Sequence, residues 1–417
     1  MGELIWASLL HLWNDGLTAA LTLLLPLMAM DLHLSYAQAA FVRTIHLATL
    51  AGVQIPIAVF AGAAREVAVL GGGLVWFGAS YLALAGAMTP VAAVTWAAVA
   101  GIGAGGYHPV ATNRIAHLAD SGNRGRAVGT LNFAGDLGKF LLPAAAGAVA
   151  SFLGWRTTLG LFGGLAALAG IAYLLVREGS HVCTDRAGLV HVAGTERTKT
   201  ALATRPEVAR GKDTAAAGWG IARPGPFALI TAIGVIDNGI RSAALTFLPF
   251  LLVSRGLGTG EVGGLFGVML LGGAAGKFVC GRWTDLVGER TVIIATEALM
   301  AAGLVGLPRV NGVASIAIYL LALGIVLNGT SSAVLTGVAD TVDRVRGSRG
   351  YGAYFTSTFA SGAIASVAYG VLADRRGLPG VFLGLGLVTL LIPVLALLLP
   401  ANMAVRGRGN EVKINAR

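Results

Sequence analysis

Apolar runs long enough to cross a hydrocarbon core dominate the chain. Such a crossing takes about 20 helical residues. Stretches of that order fall at 4–29, 37–61, 67–87, 91–113, 125–151 and 156–176, and again at 225–253, 260–281, 291–307, 313–338, 349–373 and 379–400. The pattern predicts an all-α membrane protein of twelve spanning helices, six on each side of a polar interval at 177–223. That interval mixes charge with Thr, Ala, Gly and Pro (Arg177-Glu178, Lys199, Arg205-Pro206, Lys212-Asp213) and carries few large apolar side chains, so it reads as a linker rather than a domain. The expected organisation is a first half at 1–176, a linker at 177–223, a second half at 224–401 and a polar tail at 402–417.

The two halves repeat at a constant offset of 223 residues. Asn14-Asp15-Gly16 with Pro26 aligns with Asp237-Asn238-Gly239 and Pro249, and the register holds through Gly101/Gly324, Gly106/Gly329, Gly129/Gly352, Gly147/Gly370 and Gly154/Gly377. A duplicated membrane protein that keeps a carboxylate inside the first helix of each half points to a transporter with its site at the interface of the repeats.

Composition agrees: 55% hydrophobic and 12% charged residues place the chain far from soluble proteins, which average about 25% charged. The net charge of +10 could suggest a nucleic-acid partner, but its distribution reports topology. With a cytoplasmic N-terminus, 20 of the 30 Lys and Arg residues fall on the cytoplasmic side and only Arg156, Arg255, Arg309, Arg375 and Arg376 fall opposite. The positive-inside rule therefore places both termini in the cytoplasm of a cell membrane, with lipid as the surroundings and no nucleic acid. The first span is too long, and too interrupted by His11, Asn14 and Asp15, for a cleaved signal peptide. Only Cys183 and Cys280 are present, so no disulfide framework, metal motif or cofactor is expected.

Candidate chemistry lies in polar stripes within the spans. His11, Asn14, Asp15 and Thr18 share one face of the first helix; the reading is a proton site at Asp15 with His11 one turn away, set against a helix-packing hydrogen bond. Asp15 has no basic residue within a turn on its own helix except His11, which makes it the best-placed coupling carboxylate. Asp237 and Arg241, one turn apart beside Asn238, are read as an ion pair that either touches substrate or is structural. Asn132, Asp136 and Lys139 form a third stripe, where Asp136 and Lys139 can satisfy each other. Arg43 and His46 lie on the second helix, with Arg43 expected to snorkel outward or to admit anions. His108 precedes Pro109, which is expected to bend the fourth helix. Lys277 and Arg114 read as anchors at the membrane edge, and Glu297 is left unassigned. The Gly-x-x-x-Gly spacings, such as Gly101 to Gly105, read as close helix packing.

These features resemble the major facilitator superfamily. After the eighth span, Gly281, Asp285, Gly288 and Arg290 match its gating-loop motif, with Leu286 and Glu289 where basic residues are usual; the first-half copy has Gly62 at the Asp position. His11-Leu12-Trp13-Asn14-Asp15 with Leu24-Leu25-Pro26-Leu27, and Gly103 with Tyr107-His108-Pro109 and Arg114-Ile115-Ala116, are similar to the fosmidomycin resistance branch. The superfamily resemblance implies alternating access around a central cavity, and the branch resemblance implies export.

The expectation is secondary active transport: proton-coupled efflux of a small toxic compound or metabolite by a monomer, or alternatively proton-coupled uptake of an organic or inorganic anion, suggested by Arg43, Lys139 and Arg241. Coupling is assigned to Asp15, His11, Asp136 and Asp237, and substrate contact to Asn14, Arg43, His108, Asn132, Lys139, Asn238 and Arg241. No catalytic constellation such as Ser-His-Asp stands out, so an enzyme is not expected.

Overall fold

A computed structural model of the chain describes residues 2–60, 62–119, 123–188, 220–342 and 348–400. The first half holds α1 (Gly2–Asp31), α2 (Tyr36–Phe60), α3 (Gly62–Ala85), α4 (Pro90–Gly105), α5 (Tyr107–Leu118) and α6 (Arg124–Gly188). The second holds α7 (Pro224–Ser254), α8 (Thr259–Val287), α9 (Glu289–Gly306), α10 (Val313–Ala339), α11 (Ser348–Thr389) and α12 (Leu391–Leu397). Among the described residues these give twelve crossings, because two helices each cross twice and the fourth and last crossings are each built from more than one piece.

Glycine explains the double crossings. α6 turns back at Gly154 (φ 73°) and α11 at Gly377 (φ 70°), both in the left-handed region that residues with a Cβ avoid. These two positions are a matched pair of the repeat, so each half makes the same hairpin with the same residue. The fourth crossing differs from expectation. Its break falls at Gly106, between α4 and α5; Pro109 comes later, as the third residue of α5, where its missing N–H costs no helical bond. α6 also continues through Gly188, past the expected start of the linker; the rest of the linker up to residue 219, and the tail from 401, lie outside the described residues.

We refer to the end of the bundle bearing Gly2 and Leu399 as the terminal end and to the other as the far end. The halves meet at the far end and at mid-bundle. There α6 packs on α8 through Gly147 and Gly263, where a Cβ on Gly147 would lie 2.7 Å from the Gly263 Cα, and α11 packs on α2 through Gly370 and Ala37. Asp374 of α11 accepts from the Tyr36 and Ala37 backbone N–H groups at 2.8 and 3.2 Å. Ser35 and Gln38 bond reciprocally, side chain to backbone, at 2.9 and 3.3 Å. The free N–H groups of the first turn of α2 are thus capped partly by its own sequence and partly by the other half.

Candidate functional site

The site begins with how closely α1 and α6 can approach. Gly16, Gly135 and Gly138 lie at their contact, and a Cβ on Gly135 would sit 2.7 Å from His11 Nε2 and 2.9 Å from Asp15 Oδ2. With hydrogens there instead, the acidic stripe of α1 meets the charged stripe of α6. Lys139 Nζ lies 2.8 Å from Asp15 Oδ2 and 3.2 Å from Asp136 Oδ1. His108, near the start of α5, places Nε2 3.1 Å from Asp15 Oδ1, and His11 Nε2 is 3.4 Å from Oδ2. Asn14 Nδ2 points at Asp15 Oδ1 across 3.4 Å.

Asp15 is therefore the most heavily partnered carboxylate of the first half among the described residues. The expectation that only His11 accompanies it holds along α1 and fails in space, because Lys139 and His108 arrive from other helices. Its side chain is 5% exposed, whereas those of Lys139 and His108 are 38% and 40% exposed. Since the far end is closed by inter-half contacts, that exposure opens toward the terminal end.

Lys277, read from sequence as an edge anchor, belongs to this network. Its Nζ reaches both Asp136 oxygens at 3.3 Å, joining α8 of the second half to α6 of the first. Two carboxylates and two ammonium groups so alternate as Asp15, Lys139, Asp136, Lys277. Asn132 lies one turn from Asp136 on α6 and is exposed.

His11 Nδ1 is 2.8 Å from the Leu131 carbonyl. A carbonyl only accepts, so Nδ1 carries the hydrogen, and in the neutral ring Nε2 is bare. It then faces a carboxylate oxygen with no donor between them, and it has no hydrogen-bond partner. A proton placed between the two would join them.

Arg43 does not snorkel. It is buried, and it donates to Thr22 Oγ1 at 3.0 Å in its own half and to Ser242 Oγ and Thr246 Oγ1 at 3.0 and 3.1 Å in the other. A guanidinium ringed by hydroxyls holds α1 and α2 against α7. His46 is fully buried, with Nδ1 on the Ala97 carbonyl at 3.1 Å and its ring stacked on Phe77.

In the second half Asp237 Oδ2 pairs with Arg241 at 3.2 Å, as the spacing predicts, and Arg241 also donates to Asn238 Oδ1 at 3.0 Å. Asn238 in turn donates to the Thr358 carbonyl at 2.6 Å. The gating-loop residues sit at the terminal end: Gly281 and Asp285 are in the last turns of α8, Gly288 (φ 84°) makes the turn into α9, and Arg290 donates to the Leu399 carbonyl at 3.3 Å. Arg114 binds Glu3 and Glu66, tying helices of the first half together.

His11, Asp15 and His108 bring three ligand atoms within 4.8 Å of one another, a donor set that suits a transition-metal ion. Lys139 already occupies the shared carboxylate oxygen with a positive charge, which opposes a metal cation there. A separate cavity of about 520 Å³ opens at the far end, lined by Pro26, Met30, Tyr36, Phe250, Ser254 and Asp374 among others. It includes none of the charged cluster.

A sequence model of the Major Facilitator Superfamily matches residues 7–260 and 227–413. No curated protein matches the chain significantly in sequence. Among solved structures, a bacterial homologue of the human lysosomal transporter Spinster, inward-facing and unoccupied, superposes with a TM-score of 0.75 at 12% identity, covering 97% of each chain. The same homologue in an occupied inward-facing form gives 0.70 at 15%, covering 97% of this chain and 96% of that one. A peptide transporter, POT, in complex with alafosfalin gives 0.68 at 16%, with 97% and 94% covered.

Proposed function

The chain belongs to the Major Facilitator Superfamily, and from that premise we propose that this multi-pass membrane transporter couples solute movement to protons through Asp15. The observation that carries the reading is the bare His11 Nε2 facing Asp15 Oδ2 at 3.4 Å. A carboxylate that shares a proton with an imidazole, and is linked through Lys139 and Asp136 to Lys277 of the other half, has a place to take up and release that proton during alternating access.

The solute we propose is a small anion. Lys139 is half-exposed and its partner is Asp15, so an incoming anion competes with Asp15 for the same ammonium group. Protonating Asp15 removes the competitor. Proton and anion then bind together rather than in exchange, which favours cotransport along the proton gradient. Arg241 and Arg43 supply further positive charge toward the interface.

Export of a toxic compound rests on the likeness of the first and fourth helices to the fosmidomycin resistance branch, and it calls for the opposite linkage, with proton and solute competing. We further propose a monomer in the cell membrane with both termini cytoplasmic, on the distribution of Lys and Arg, and a linker that serves only to join the halves. A transport screen of organic and inorganic anions in sealed vesicles with an imposed pH gradient tests the reading. Accumulation that follows an inward proton gradient supports it; solute movement indifferent to pH in either direction sinks it.

A further inference from the structure

Glu297 is the most deeply enclosed acid of the second half among the described residues. It sits midway along α9 at 0% exposure, and neither carboxylate oxygen has a hydrogen-bond partner. Among the described residues the charges acting on it are Asp237 and Arg241 of α7. Tyr354 of α11 also feels that pair, and α12 carries no ionisable side chain. Asp237 is itself buried, with Oδ1 unpartnered and only Oδ2 paired to Arg241. Two carboxylates thus share one guanidinium in the interior of a membrane protein. A lone buried charge is too costly to persist there, so the group needs one more positive charge.

The neighbouring hydroxyls indicate what supplies it. Thr330 on α10 is the hydroxyl beside Glu297, without a hydrogen bond to it; its single hydrogen is offered to Thr296 Oγ1 at 2.8 Å or to the Val326 carbonyl at 3.3 Å, and Thr296 donates to the Val292 carbonyl at 2.7 Å. Thr330 therefore has a lone pair to offer Glu297 and no proton to give it. A protonated Glu297 completes the run as donor to Thr330, Thr330 to Thr296, and Thr296 to the backbone, with every hydroxyl both donating and accepting. An ionised Glu297 leaves acceptor facing acceptor.

We propose that Glu297 is a proton-binding site of the second half, holding the proton that neutralises its own carboxylate beside the Asp237–Arg241 pair, separate from the site at Asp15. The proton joins a Glu297 carboxylate oxygen and leaves from the same atom, with no other bond made or broken. The site stands independently of the transport reading. The position corresponding to Glu297 in the first half is Leu74, so nothing in the repeat demands an acid here.

The test is infrared spectroscopy of the purified full-length protein in lipid, read at the C=O stretch of protonated carboxyl groups at neutral pH. The expected result is a band present in the wild type and in Asp15→Asn but lost in Glu297→Gln, whose amide can donate to Thr330 in place of the carboxyl group. Should that variant fail to fold, Thr330→Val serves instead: removing the acceptor moves the band to the higher frequency of a free carboxyl group. A band unchanged by both substitutions overturns the proposal. So does a band that appears in the wild type only when sodium is withdrawn, because the balancing charge would then be a metal cation.

Discussion

Replacing Lys139 by Met removes the ammonium group from between Asp15 and Asp136 while keeping the length of the side chain. At 2.8 Å the Coulomb attraction to Asp15 is about 6 kcal/mol for an effective dielectric constant of 20. Breaking a fully buried pair costs about 3–5 kcal/mol and an exposed one about 0–1. Asp15 is enclosed but Lys139 is 38% exposed, so we expect a net cost of about 2 kcal/mol. If one six-helix half unfolds as a unit, that lowers the midpoint of thermal unfolding by roughly 4–8 °C. Asp15→Asn alone should cost less, since Lys139 retains Asp136 at 3.2 Å. The decisive comparison is the double variant, in which no charge is stranded. It should be no less stable than Asp15→Asn, giving a coupling of about 2 kcal/mol. Thermal unfolding of the four proteins in one detergent at one pH reads this out. Strictly additive losses would refute the direct Asp15–Lys139 pair and, with it, the competition on which the proposed function rests.

Two further expectations concern the scaffold. Asp374→Ala strips α2 of the cap supplied by the other half, worth about 1 kcal/mol, and weakens far-end closure. With Cys183 and Cys280 replaced, a cysteine introduced for Ser254, which lines the far-end cavity, should then react about fivefold faster with a maleimide, the factor that 1 kcal/mol implies; an unchanged rate would remove Asp374 from the closure. Shortening the segment 189–219 by about a third should leave transport intact, because that stretch carries few large apolar side chains with which to form a packed unit. Normal insertion with lost transport would give that segment a role of its own.

The spans, the repeat and the hairpin glycines Gly154 and Gly377 were legible because apolar run length and glycine register are local properties of a sequence. The Asp237–Arg241 pair was legible for the same reason: both partners lie on one helix, a turn apart. Lys139 illustrates the limit. Its spacing to Asp136 along α6 could be read directly, but its closer contact with Asp15 depends on the depth to which Gly135 and Gly138 let α6 approach α1. Lys277 was taken for an edge anchor from its distance to the nearest polar loop, yet it lies well inside α8, where the facing surface of the other half carries Asp136. Arg43 departs from expectation likewise, because snorkelling suits a helix facing lipid, whereas α2 packs on α11 of the other half and Arg43 reaches from it to Ser242 and Thr246 of α7. Glu297 draws no assignment from the sequence because the superfamily resemblance puts the ninth helix at the periphery; the packed bundle shows both its carboxylate oxygens without a donor.

The central claim is that Asp15 carries the coupling proton and that proton and anion move together. The most direct measurement follows internal pH, with a trapped dye, in liposomes containing the purified protein when a transported anion is added outside. The account predicts internal acidification that tracks anion entry and disappears in Asp15→Asn, while anion exchange without a pH gradient persists. Acidification of equal size in Asp15→Asn, or alkalinisation on anion entry, would contradict it.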